Sequence, residues 1–142
     1  MDHPSQQLLA DRFDAPIAAI FGAIASTTPV IRDGLPSRRR YLDADNPSGE
    51  TQLAADVFAD ELLCDALGDV GAVGCYGSEE RAEIIDVGGG GLTVCVDPLD
   101  GSTNLQPNAA MGTVVGVYAR PRCHAGDLLA AGYVLYGPIM TM

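Results

Sequence analysis

The sequence predicts a layered α/β protein. Two stretches with apolar residues at helical spacing occupy its N-terminal half, and five short apolar or β-branched runs follow them. A chain of 142 residues, 47% of them hydrophobic, is long enough for one domain with a real core and too apolar for a disordered one.

The first helix is expected over residues 6–25, where Leu8, Leu9, Phe13, Ile17, Ile20, Phe21 and Ile24 share a face. Pro16 is expected to kink or divide it. Residues 27–49 are polar and carry Pro29, Gly34, Pro36, Pro47 and Gly49, so they read mostly as loop, with a short extended piece at Val30 and Ile31. Arg38, Arg39 and Arg40 read as a solvated basic run, the sharper alternative being an anion or subunit contact. The second helix is expected over residues 50–67, with Leu53, Val57, Phe58, Leu62 and Leu67 as its apolar stripe and Gly68 suited to the position after it. Strands are expected at residues 72–76, 83–87, 92–96, 113–118 and 128–136. The four glycines at 88–91 read as a hairpin loop, and no Lys-Ser/Thr pair follows them as a nucleotide P-loop requires.

Charge narrows the partners. The chain has 19 Asp and Glu against 8 basic residues, a net charge of −11, and all the basic residues are Arg. This balance argues against a nucleic-acid partner and against an anionic membrane surface. A Lys-free, Asp-rich composition suits a protein living in high salt, where self-repulsion is screened. No run of about 18 apolar residues predicts a membrane span, and residues 1–7 lack the pattern of a secretory leader. Cys64, Cys75 and Cys95 sit in apolar segments and read as buried free thiols, so a cytoplasmic location is expected.

The chemistry concentrates where the third of those runs meets Asp97-Pro98-Leu99-Asp100-Gly101-Ser102-Thr103-Asn104. Pro98 presets a turn that brings the Asp97 and Asp100 carboxylates to one side. Convergent carboxylates repel unless a cation lies between them, and hard oxygen ligands suit Mg²⁺. Gly101, Ser102 and Thr103 then offer backbone N–H groups to an anion. Two further acidic groups join this pattern: Glu79 and Glu80 after the first run, and Asp56, Asp60 and Glu61 on the second helix.

The 97–104 segment resembles the signature of the lithium-sensitive, metal-dependent phosphatase superfamily. The segments 49–63, 78–80, 111–118 and 130–137 look like those of class I fructose-1,6-bisphosphatases. The resemblance runs from about residue 49 to 140, leaving residues 1–48 as a poorly matched N-terminal part and 49–142 as the metal-bearing core. It implies a sandwich of helices on a mixed sheet that is incomplete without a C-terminal domain. It also implies Mg²⁺-dependent hydrolysis of the 1-phosphate of fructose 1,6-bisphosphate, with two or three Mg²⁺ per site and Mn²⁺ as a substitute. Asp97 and Asp100 would hold Mg²⁺ by their carboxylates and Leu99 by its carbonyl. Glu79 would bridge two ions and Asp56 would help hold another. Glu61 and Glu80, with Asp56 beside them, would activate the attacking water. Asp100, Gly101, Ser102 and Thr103 would bind the phosphate. A homo-oligomer, tetrameric in the family, is implied as well.

Glu61 stands where the family commonly has Asp, so its longer arm displaces the carboxylate. No AMP-type phosphate loop is visible near residues 5–9, and Gly91-Leu92 replace an expected Lys-Tyr pair. The sugar pocket belongs to the family's C-terminal half, so the 142-residue chain is expected to be a truncated, inactive part. An inositol monophosphatase or other sugar-phosphate phosphatase, and a non-catalytic metal-binding remnant, are the alternatives.

Overall fold

The computed structural model describes residues 9–119 and 123–142. Two helices, α1 (Ala15–Gly34) and α2 (Ala54–Gly68), cover one face of a five-stranded sheet. Its strands are β3 (Val73–Ser78), β4 (Ile85–Asp86), β5 (Leu92–Asp100), β6 (Met111–Tyr118) and β7 (Leu128–Tyr136). They lie in the order β4-β3-β5-β6-β7, with β3 and β5 parallel and the other neighbours antiparallel. A separate hairpin joins β1 (Tyr41–Asp45) and β2 (Thr51–Leu53). The α/β class, with helices packed on a mixed sheet, is therefore the observed one.

Period 2 in the strands meets period 3.6 in the helices to make the core. Val94, Val115, Val117 and Val134 point from the sheet toward Ile20, Ile24, Leu63 and Leu67 of the helices, all essentially inaccessible to water. Val114 pairs with Tyr133 and Gly112 with Leu135. Val114, Tyr133 and Leu135 are exposed on the opposite sheet face.

Several elements differ from the sequence reading. Pro16 does divide the first helix as expected, and it stands in the first turn of α1, which needs no intrahelical N–H from it. A short helical turn over 9–12 precedes it; residues 6–8 lie outside the described residues. The segment read as loop from 27 onward continues α1 to Gly34, straight through Pro29. Burial explains this. Thr28, Ile31 and Leu35 extend the buried face of Ile20, Phe21 and Ile24, which outweighs a proline cost of about 3 kcal/mol. The stretch from Ala15 to Ser37 is thus long and apolar enough to cross a membrane by composition, contrary to the sequence reading. Its buried apolar residues, however, pack in the core cluster.

The second helix begins at Ala54 instead of residue 50. The Asp56 carboxylate accepts the Leu53 N–H at 2.7 Å and sets that start. Residues 51–53 instead pair with β1, closed by Asn46, whose side chain accepts the Glu50 N–H at 2.9 Å, and by Gly49 at φ +86°. Gly68 remains helical, and Asp69 follows it in a right-handed conformation. The Arg run is not simply solvated. Arg38 lies over the Phe58 ring at 3.6 Å, and Arg39 donates to the Gln106 carbonyl at 2.9 Å. All four cysteines are free, and they are half-buried rather than buried.

The glycine run is not a hairpin loop, because β3 separates β4 from β5. It crosses the start of β3 at backbone contact distance. A Cβ on Gly74 would overlap the Gly90 carbonyl oxygen, and one on Gly89 would overlap that of Val73. Gly74→Ala is expected to lower stability by about 2 kcal/mol or more in a urea melt, whereas Gly91→Ala, which meets nothing within 4 Å, should stay within about 0.5 kcal/mol.

Candidate active site

The parallel pairing of β3 and β5 brings their C-terminal ends to the same side of the sheet. Ser78 pairs with Val96, and the Glu79 N–H continues the ladder to the Val96 carbonyl at 3.1 Å. Glu79 therefore emerges beside Asp97. Beyond Asp97 the register with β6 shifts before it resumes at Asp100 opposite Gly112. Pro98 has no N–H for the ladder, so an irregularity there is its natural outcome. The kink is held from three directions. Leu99 N–H donates to the Asp97 carboxylate at 3.1 Å, the Thr113 hydroxyl donates to the Pro98 carbonyl at 2.8 Å, and Tyr136 shares a 2.7 Å bond with that hydroxyl. Leu99 buries its side chain. Gly101 follows at φ +75°, where a side chain is disfavoured, and opens the short 3₁₀ turn Ser102–Leu105.

These elements enclose a cavity of about 520 Å³. Every site residue expected from the sequence except Glu61 lines it: Asp56, Glu79, Glu80, Asp97, Leu99, Asp100, Gly101, Ser102 and Thr103. Glu61 is exposed and lines a neighbouring space of about 280 Å³ with Asp60 and Arg81; Glu80 borders both. Helix geometry is the reason. Five residues beyond Asp56, Glu61 is rotated about 140° away from it around α2. Four lining residues were missed: Tyr41, Asn46, Glu50 and Thr51, all from the β1–β2 hairpin or its turn. The Asn-Pro-Ser-Gly sequence at 46–49 was the available turn signal.

Electrostatically, the cavity is a carboxylate wall. No Arg lines it. Burial, then Glu79 and Asp100, push Asp97 up to about 7 from its ordinary 3.8. Asp56 is also raised; burial, with the charges of Glu79 and Glu50, outweighs its bonds from the Leu53 N–H and the Ser102 hydroxyl. Burial raises Glu80 against a 2.6 Å bond from the Gln52 amide. Among the described residues, no three His, Cys, Asp or Glu side chains sit close enough to form a ready coordination shell. The donors share one cavity without closing on one point.

Asp60 plays a different part from its acidic neighbours. Buried on α2, it accepts from Arg81 at 2.7 Å and from the Tyr76 hydroxyl at 2.9 Å. Arg81 directly follows Glu79 and Glu80, so this ion pair ties their turn to the helix.

A family model described as fructose-1-6-bisphosphatase, N-terminal domain, matches residues 39–142. A class 1 fructose-1,6-bisphosphatase of Natronomonas pharaonis is 58% identical over 125 residues, covering 87% of this chain and 44% of the relative. One from Halobacterium salinarum is 50% identical over 129 residues, covering 89% and 45%. Among solved structures, the holo form of Leishmania major fructose-1,6-bisphosphatase superposes with a TM-score of 0.85 at 23% identity, over 98% of this chain and 50% of that one, a likeness of fold. A putative sedoheptulose-1,7 bisphosphatase from Toxoplasma gondii gives 0.79 at 26% identity, over 98% and 49%. The chain spans about half the length of the relatives it matches.

Two outcomes follow from this geometry. Asp60→Ala leaves Arg81 and Tyr76 without their shared acceptor. It should cost about 2–3 kcal/mol by denaturant melt, discounted for the partial exposure of Arg81, against about 0.5 kcal/mol or less for Asp33→Ala in the exposed Arg32–Asp33 pair. Asp97 binds its proton more tightly in the folded chain than in the unfolded one. The stability this supplies is complete below its ordinary value of 3.8 and is lost as pH rises through about 7. Asp56 and Glu80 shift in the same direction. The melting temperature of the cation-free chain should therefore fall between about pH 5 and about pH 8, and Mg²⁺ should restore it at the upper pH.

Proposed function

Since the chain belongs to the fructose-1,6-bisphosphatase family, we propose that it carries the cation- and phosphate-binding part of a Mg²⁺-dependent hydrolysis of the 1-phosphate of fructose 1,6-bisphosphate, giving fructose 6-phosphate and phosphate. The observation behind this reading is the single cavity that gathers Asp56, Glu79, Glu80, Asp97 and Asp100 with Gly101, Ser102 and Thr103. Asp97, Asp100, Glu79 and Asp56 would hold Mg²⁺ or Mn²⁺ by their carboxylates, and Leu99 by its carbonyl. Glu50, on the same wall, adds a further carboxylate. Bound divalent ions supply charge neutralisation at the phosphoryl oxygens and acidify a coordinated water.

The chain's own groups would do the rest. Ser102 and Thr103 donate hydroxyl and backbone hydrogens to the phosphate, and the left-handed turn at Gly101 aims that segment into the cavity. Glu80, raised by burial and held by Gln52, receives the proton of the attacking water. The role expected for Glu61 thereby falls to Glu80, because Glu61 faces the adjoining space. The water oxygen bonds to phosphorus, the bond from phosphorus to the O1 oxygen of the sugar breaks, and that oxygen takes a proton. The homo-oligomer, the cytoplasmic location and the salt-adapted surface belong to the same proposal; the acid-rich, Lys-free composition supports the last.

Calorimetric titration with Mn²⁺ tests the cation site. Asp97→Asn is expected to weaken binding at least about tenfold, and unchanged affinity sinks the assignment. Phosphate release from fructose 1,6-bisphosphate, sedoheptulose 1,7-bisphosphate and inositol 1-phosphate tests the reaction. The 142-residue chain alone is expected to stay at the uncatalysed rate, and turnover above it would overturn that expectation.

A further inference from the structure

Cys95 and Cys123 take no part in the chemistry above, yet the fold brings their sulfurs to 2.8 Å across 28 positions of sequence. That separation is within about 1 Å of a disulfide bond of about 2.05 Å. Cys95 sits mid-strand in β5, with Gly77 of β3 on one side and Gly116 of β6 on the other. Neither neighbour has a side chain of its own; Ile84 reaches over Gly77 and the Tyr118 ring lies over Gly116. A Cβ on Gly77 would come within 3.1 Å of the Cys95 sulfur. Cys123 comes from the connection between β6 and β7 to meet Cys95, and both thiols remain half-buried rather than sealed.

We propose that Cys95 and Cys123 form a covalent modification site that closes to an intramolecular disulfide by exchange with low-molecular-weight disulfides. One protein thiolate attacks a sulfur of the small disulfide and expels one small thiolate, leaving a mixed disulfide. The second protein thiolate attacks the protein sulfur of that bond and expels the other. The two protein thiols lose two protons and two electrons, and the small disulfide is reduced to two thiols. The bond ties the β6–β7 connection to the central strand two residues before Asp97. It does not rest on the proposed reaction.

Oxidised glutathione is the probe. The reduced chain is equilibrated with it, quenched by alkylation, and read by intact mass and non-reducing peptide mapping. The expected product is a monomer lacking two hydrogens, retaining no glutathione, with Cys95 joined to Cys123 and reopened by dithiothreitol. This link should exceed any link to Cys64 or Cys75 at least tenfold. It should persist in a Cys64→Ser/Cys75→Ser variant and vanish in Cys123→Ser. Any one of three outcomes overturns the proposal: stable glutathione adducts on both cysteines without a cross-link, links through Cys64 or Cys75 in its place, or both thiols still alkylated at every glutathione ratio.

Discussion

The parallel pairing of β3 with β5 is the interaction on which the rest of this structure depends. It sends both strands toward the same edge, so the residues that follow them, Glu79 and Asp97, arrive side by side. Open α/β sheets place their sites outside the carboxyl ends of parallel strands for this reason. The same pairing forces the chain to pass from β4 around β3 before entering β5. It does so at the glycine run, where backbone lies against backbone. A stretch that looks like a flexible loop is thus the steric condition for the central strand pair.

The pairing concentrates charge that the fold must then tolerate. Burial and mutual repulsion raise Asp56, Glu80 and Asp97 together, a cost to the cation-free chain at neutral pH. Apolar packing of α1 and α2 on the sheet carries that cost, and the pair of buried Asp60 with half-buried Arg81 keeps the acidic turn in place. Asp60 illustrates how an acidic cluster divides its labour. Asp56 and Asp60, four residues apart on α2, share a face; one faces the cavity and the other locks an arginine.

Much of the site was legible before any coordinates because its signals are local. Asp97-Pro98 and Gly101 each dictate backbone within a residue or two, so the turn, the kink and the direction of the Gly101–Thr103 segment follow from residue type. The strands at 92, 113 and 128 were likewise readable from their apolar runs. The β1–β2 hairpin was not legible. Its strands are short and exposed, so no alternating pattern marks them, and Glu50 was absorbed into the following helix.

Sequence alone therefore determined the fold class, the Asp97–Thr103 turn and the acidic character of the cavity, since these depend on residue type and near-neighbour sterics. Tertiary structure decided what depends on distant burial: the passage of α1 through Pro29, the crossing of the glycines over β3, and the placement of Glu50 on the cavity wall and of Glu61 outside it. A buried face extending to Ile31 and Leu35 can outweigh a proline, and a 140° turn of helix can remove a carboxylate. Neither effect exists until the elements pack.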